Sequence, residues 1–135
     1  MAKQSARFRI AKNKTGKDFI MSYQKKELKD NETNSRYDIK HQLPKDFVPY
    51  ANIPLQLELT FVYPPLKSWT KAKMKQLENG DVIYKTTKPD NDNLQKNIAD
   101  ILNGLVYTDD ALVSISVVKK IYGFTPRTEI VIKTL

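Results

Sequence analysis

Five aspartates crowd one short span of this chain: Asp90, Asp92, Asp100, Asp109 and Asp110, within "KPDNDNLQKNIADILNGLVYTDD". Between positions 90 and 110 the one cation is Lys96, which leaves the span at −4 and the remainder of a +8 chain at +12. Carboxylates gathered in one place repel one another strongly unless a cation stands among them. Oxygen donors without histidine or cysteine suit Mg²⁺ or Mn²⁺ and not zinc or copper. Held by carboxylates, such an ion can activate water, polarise a phosphate and neutralise a departing oxygen. A plainer reading makes Asp92 or Asn93 a helix N-cap, with acidic residues favoured at the positive end of the helix dipole, and Asp109-Asp110 turn residues. Against it stands the basic remainder, with Lys88 and Lys96 bracketing Asp90 and Asp92. A protein that binds polyanions gains nothing by aiming bare carboxylates at phosphate.

Other templates fail on composition or spacing. The chain has no cysteine and one histidine, His41, so thiolate sites and histidine-base nucleases are excluded, and His41 reads as a surface or capping residue. A calcium loop starting at Asp90 would need an oxygen ligand at Leu94, glycine at Gln95 and glutamate at Ile101. Pro89-Asp90 has a counterpart in restriction-type nucleases, but no acid-x-Lys follows on a later strand. The glycines, Gly16, Gly80, Gly104 and Gly123, form no phosphate-cradling loop, so no nucleotide cofactor is expected.

The sequence pI of 9.6 points to a polyanionic partner, for which nucleic acid is the commonest case. Candidate phosphate contacts are Arg7, Arg9, Lys71, Lys73, Lys75, Lys88, Lys119 and Lys120. The basic start, "MAKQSARFRIAKNK", leads into no apolar stretch, and no window approaches the roughly 18 apolar residues of a membrane span. A cytoplasmic protein without membrane contact is expected, and the absence of cysteine fits a reducing compartment.

At 135 residues the chain is expected to form a single domain, 1–135, around one core. "ARFRIA" and "DFIMSY" read as a hairpin around the basic "KNKTGK"; residues 25–43 read as a surface helix carrying Leu28, Ile39 and Leu43, stopped before Pro44. The clearest strand is "PLQLELTFVYPP", where Leu55, Leu57, Leu59, Phe61 and Tyr63 alternate with Gln56, Glu58, Thr60 and Val62. "SWTKAKMKQLENG" predicts a short helix, N-capped by Ser68 and ended by Gly80, with Lys71, Lys73 and Lys75 toward solvent. "DVIYKTT" predicts a short strand. After it Leu94, Ile98, Ile101, Leu102 and Leu105 form a helical stripe with Asn93, Lys96 and Asp100 on the far side. "ALVSISVVKKIYG" and "RTEIVIKTL" read as two further strands, joined through Gly123 and Pro126 as an antiparallel pair. The fold class is α/β (α+β): a mixed sheet of about four to six strands with two or three helices. In that frame Asp90 and Asp92 precede a helix roughly 18 Å long and Asp109 and Asp110 follow it. They meet only if the next strand returns beside the one ending at Lys88.

"KPDNDNLQKNIADILNG", then "YTDDALV" and a lysine in the following strand, Lys120 with Lys119 beside it, together resemble the RusA-type Holliday junction resolvases, small endonucleases common in phages and prophages. The resemblance runs from about Leu55 to Lys120, includes "YPPLKSW", and fades to similar character in "KQSARFR". It implies Asp90, Asp92 and Asp110 as ligands of a catalytic Mg²⁺, replaceable by Mn²⁺, with Lys96 as catalytic lysine; Asp109 and Asp100 match acidic positions without an assigned role. It further implies a homodimer that resolves four-way DNA junctions by paired nicks in recombination and repair. Two departures stand out: Asn91 where an apolar residue is frequent, and Leu112 where glutamine is frequent. Two other functions fit the residues: a non-catalytic basic DNA-binding protein, and a metal-dependent nuclease acting on flaps or forks.

Overall fold

The computed structural model describes residues 6–9, 18–23 and 32–135. Its centre is β3 (Leu55–Tyr63), whose alternation holds through Phe61: Leu55, Leu57, Leu59 and Phe61 are buried on one face, while Gln56, Glu58 and Thr60 stay half-buried on the other; at the end it departs from the expected pattern, with Val62 buried and Tyr63 half-buried. Around it lie β1 (Ala6–Arg9), β2 (Asp18–Tyr23), β4 (Val113–Tyr122) and β5 (Arg127–Thr134) in a five-stranded mixed sheet of order β1-β2-β5-β3-β4. β1 and β2 pair antiparallel as the hairpin reading requires; the "KNKTGK" tip lies outside the described residues, as do the side chains of Arg7 and Arg9.

The helices are α1 (Glu32–Gln42), α2 (Lys71–Glu78) and α3 (Asn91–Leu102). α1 and α3 supply Ile39, Ile98, Ile101 and Leu102 to a core shared with Leu55, Leu57, Leu59, Ile130, Ile132, Val106 and Tyr107. The predicted stripe of α3 is the face buried, with Leu94 and Leu105 packed at its margins. Leu28 and the rest of 24–31 lie outside the described residues. α2 is capped by Thr70, whose hydroxyl accepts from the Lys73 amide at 3.2 Å, and not by Ser68. The helix starts two residues later than Ser68 would set it, and Trp69 instead closes a turn through its amide to Leu66.

The last two strands correct the sequence reading. β4 and β5 do not pair with each other: β3 lies between them, parallel to β4 and antiparallel to β5. Spanning two inter-strand spacings takes roughly 10 Å, which the four residues 123–126 can cover. The crossing passes tightly over the end of β3. Gly123 donates its amide to Tyr63 O at 2.8 Å, and a Cβ there would stand 2.6 Å from Val62 Cγ1, so glycine is required by close approach. The expected strand at 81–87 is reduced to a bridge, Tyr84 to Ile121, because only residues 83–85 reach the end of β4. No helix among the described residues is long and apolar enough to cross a membrane.

Candidate active site

Asp90 occupies the N-cap position of α3, in extended backbone (φ −75°, ψ 149°), immediately after a cis Lys88-Pro89 peptide. Aspartate at this position usually bonds the amides of the first turn. Here its side chain makes no capping hydrogen bond and is exposed. Asp92, in the first turn, accepts from the Asn93 amide at 2.9 Å and is likewise exposed. The sequence reading put the N-cap at Asp92 or Asn93; the structure puts Asp90 there, two or three residues earlier, and leaves its carboxylate without a capping bond.

The corner carrying Asp90 is fixed from β4. Lys120 Nζ donates to the carbonyls of Thr87 at 2.6 Å and Pro89 at 2.8 Å, and Asn91 Nδ2 donates to Val118 O at 3.4 Å. One turn on, Gln95 Nε2 donates to Ser116 Oγ at 2.8 Å, so α3 runs back along β4 from its C-terminal half toward its start. Asn91, a departure from the usual apolar residue, is thus a tether. Lys120, a candidate phosphate contact, uses its ammonium to hold the Asp90 corner. Sequence gave no sign of either contact, since each joins residues 27 or more positions apart.

The chain does return beside Lys88, but Asp110 is not what returns. Lys85 N donates to Lys120 O and Tyr122 N to Ile83 O, at 2.9 and 3.0 Å, so the segment before Asp90 meets the far end of β4. Asp110 lies in a 3-10 turn, Asp110–Leu112, ahead of β4, separated from Lys120 by roughly 23 Å of strand. Its neighbour there is Tyr107, fully buried, whose hydroxyl donates to Ala99 O at 3.3 Å. Burial first, then the charges of Asp110 and Asp100, push the Tyr107 phenol well above its ordinary value. Asp109 caps the 3-10 turn, accepting from the Ala111 amide at 3.1 Å, and Leu112 packs against the core. Among the described residues no three acidic, histidine or cysteine side chains stand close enough to hold a metal. Asp90 and Asp92 share one end of α3; Asp100, Asp109 and Asp110 share the other.

Lys96 lies between these ends. Its ammonium is 3.7 Å from Asp100 Oδ2, and its side chain is 74 % exposed. The C-terminal end of α3 is closed by Arg36, whose Nη1 donates to the carbonyls of Ile101 and Asn103, both at 2.9 Å, meeting the exposed carbonyls and the negative dipole end together. That contact also had no local sequence signal.

Cations collect at the Asp90 end. Lys85 stands over the rings of Tyr63 and Tyr122, at 5.0 and 5.5 Å, and Lys73 over Trp69 at 4.5 Å, while Trp69 meets Tyr122 edge-on at 4.8 Å. This stack ties α2, with its exposed Lys71 and Lys75, to the part of β4 that holds the Asp90 corner; Lys88 is exposed beside it. Lys119 alternates to the opposite sheet face from Lys120. Lys85 was absent from the expected contacts because its value depends on the two tyrosines that the fold brings to it.

A segment of 82 residues, 59 % of the chain, is 38 % identical to the uncharacterized protein YqaN of Bacillus subtilis (strain 168). The match covers 57 % of that relative's length. The family model described as endodeoxyribonuclease RusA matches residues 1–133. With that match across essentially its whole length, the chain belongs to the RusA endodeoxyribonuclease family.

Proposed function

We propose that the protein is a divalent-metal-dependent endonuclease that resolves four-way DNA junctions, working as a homodimer whose metal sites are each shared between two copies. The observation that carries this reading is the unspent carboxylate of Asp90: an N-cap aspartate without a capping bond, beside exposed Asp92, on a corner fixed by Lys120 and set among lysines. Two carboxylates of one chain provide an oxygen donor set suited to Mg²⁺ or Mn²⁺, and Asp110 of a second copy completes it. An ion held there supplies charge neutralisation at the scissile phosphate and acidifies water, which removes the need for a histidine base. The chain's own residues do the rest: Lys71, Lys73, Lys75, Lys85 and Lys88 hold flanking phosphates, and Lys96 meets charge developing on the reacting one. A two-fold dimer presents two such sites to the two equivalent cleavage points of a junction.

A panel of linear, flap and four-way DNA tests this. Paired nicks on the four-way substrate with Mg²⁺ or Mn²⁺, and none in EDTA, are expected. Cleavage undiminished after exhaustive chelation would exclude the metal. Preference for flaps would move the substrate class, and inert protein on every substrate would leave a DNA-binding role.

A further inference from the structure

We infer that Lys120 is a positioning residue for metal binding: its ammonium holds the peptide unit that carries Asp90, sets the affinity of the Asp90 and Asp92 carboxylates for a divalent cation, and does not contact DNA. The inference rests on the metal-dependent reading above and adds a residue that acts on that site through the backbone.

Lys120 lies opposite Phe61 in the pairing of β4 with β3, so its side chain leaves the sheet on the face that α3 covers. It is half-buried there, whereas Lys119 beside it is exposed on the other face. From that position it grips three alternate residues ahead of α3. Its carbonyl accepts from the Lys85 amide at 2.9 Å, and its ammonium donates to Thr87 O at 2.6 Å and to Pro89 O at 2.8 Å. The Pro89 carbonyl belongs to the planar unit whose nitrogen is that of Asp90, so this bond fixes the plane from which the Asp90 side chain departs.

The helix fixes only the other side of Asp90, through its carbonyl, which accepts from the Leu94 amide at 3.1 Å. Toward Lys88, Pro89 has no amide hydrogen to offer, and the Asp90 carboxylate makes no capping bond. Beside Lys120, the tether nearest this unit is Asn91 Nδ2 to Val118 O, at 3.4 Å. Hydrogen bonds from an ionised donor are stronger than neutral ones, so the ammonium is the firmest hold on the corner. Among the described residues it forms no ion pair with a carboxylate, which leaves Asp90 free for a cation. To reach a phosphate Lys120 would give up two charge-assisted bonds. Exposed Lys88 and Lys119 reach one without that loss.

Lys120→Met keeps the length of the stem and removes the donors. Half-saturation of the full chain with Mn²⁺, followed by the paramagnetic resonance of the free ion, should need about 10- to 100-fold more Mn²⁺ in this variant, the usual loss when a group that orients a metal ligand is removed. Junction affinity and its salt dependence should match the unmodified protein, because a lost phosphate contact would lower the slope of log K against log salt by about 0.9. Single-turnover nicking should be slow at low Mn²⁺ and recover as Mn²⁺ is raised, which a general loss of folding would not do. Lys120→Arg, with donors for both carbonyls, should keep most of the Mn²⁺ affinity. Lys120→Gln, with an uncharged donor, should shift Mn²⁺ uptake by less than Lys120→Met and gives the same readout if that variant fails to fold by circular dichroism. A lowered salt slope with unchanged Mn²⁺ uptake makes Lys120 a phosphate contact and overturns the inference while the metal reading stands. An unmodified chain that takes up no Mn²⁺, alone or on a junction, overturns both.

Discussion

Asp90→Asn, Asp92→Asn and Asp110→Asn, each alone, should reduce junction cleavage to background while junction binding stays the same or tightens. Asparagine keeps the shape of the side chain and one acceptor oxygen but cannot offer a charged ligand. Three positions that share one ion are each indispensable, so no graded series is expected. Binding moves the other way because removing a negative charge from a basic surface lessens repulsion of phosphate. None of the three is buried, and the one structural bond among them is Asp92 to the Asn93 amide, so folding should survive. Gel-shift binding and single-turnover nicking on the same preparations check both halves. Any one variant cutting at the wild-type rate removes that residue from the ligand set.

Lys96→Ala should fold, dimerise and bind, yet cut about 10²-fold more slowly at saturating protein and Mg²⁺, the loss typical of a group that meets transition-state charge. Its observed partner does not argue for a structural role. An exposed lysine–aspartate pair four residues apart on a helix is worth about 0.3 to 0.5 kcal/mol, so the ammonium can leave Asp100 for a phosphate at little cost. Binding should fall far less than rate, since one phosphate contact among many carries a small share of the affinity. Near-normal single-turnover cleavage would return Lys96 to the exposed pair seen with Asp100.

Local periodicity made the building blocks legible. The alternation of β3 and the stripe from Leu94 to Leu105 needed only the two repeat lengths of strand and helix, and the structure buries those residues. Sheet order was not legible. "GFTP" between two apolar strands reads as a turn, and nothing local says that it crosses over β3; the sign was Gly123, whose reason is Val62, 61 positions away. The candidate site divides in the same way. Aspartate identities and the DxDN spacing are local and stood out at once. Where Asp110 ends up depends on the ten-residue length of β4 and on the parallel pairing of that strand with β3, both of which send it away from Asp90 within one chain. Lys120 shows the limit most plainly: as a residue type it suggested DNA, and nothing local announced the two backbone carbonyls that its ammonium holds.

The shared site is tested most directly by mixing. Asp90→Asn and Asp110→Asn chains, differently tagged and co-expressed, form mixed dimers that can be isolated by sequential affinity steps. If each metal site draws Asp90 and Asp92 from one copy and Asp110 from the other, a mixed dimer retains one intact site and one doubly damaged one. It should nick four-way DNA once, at about half the wild-type rate per dimer, although each parent variant is inert. Mixed dimers as inert as their parents would contradict the shared site and require all three aspartates to act within one chain.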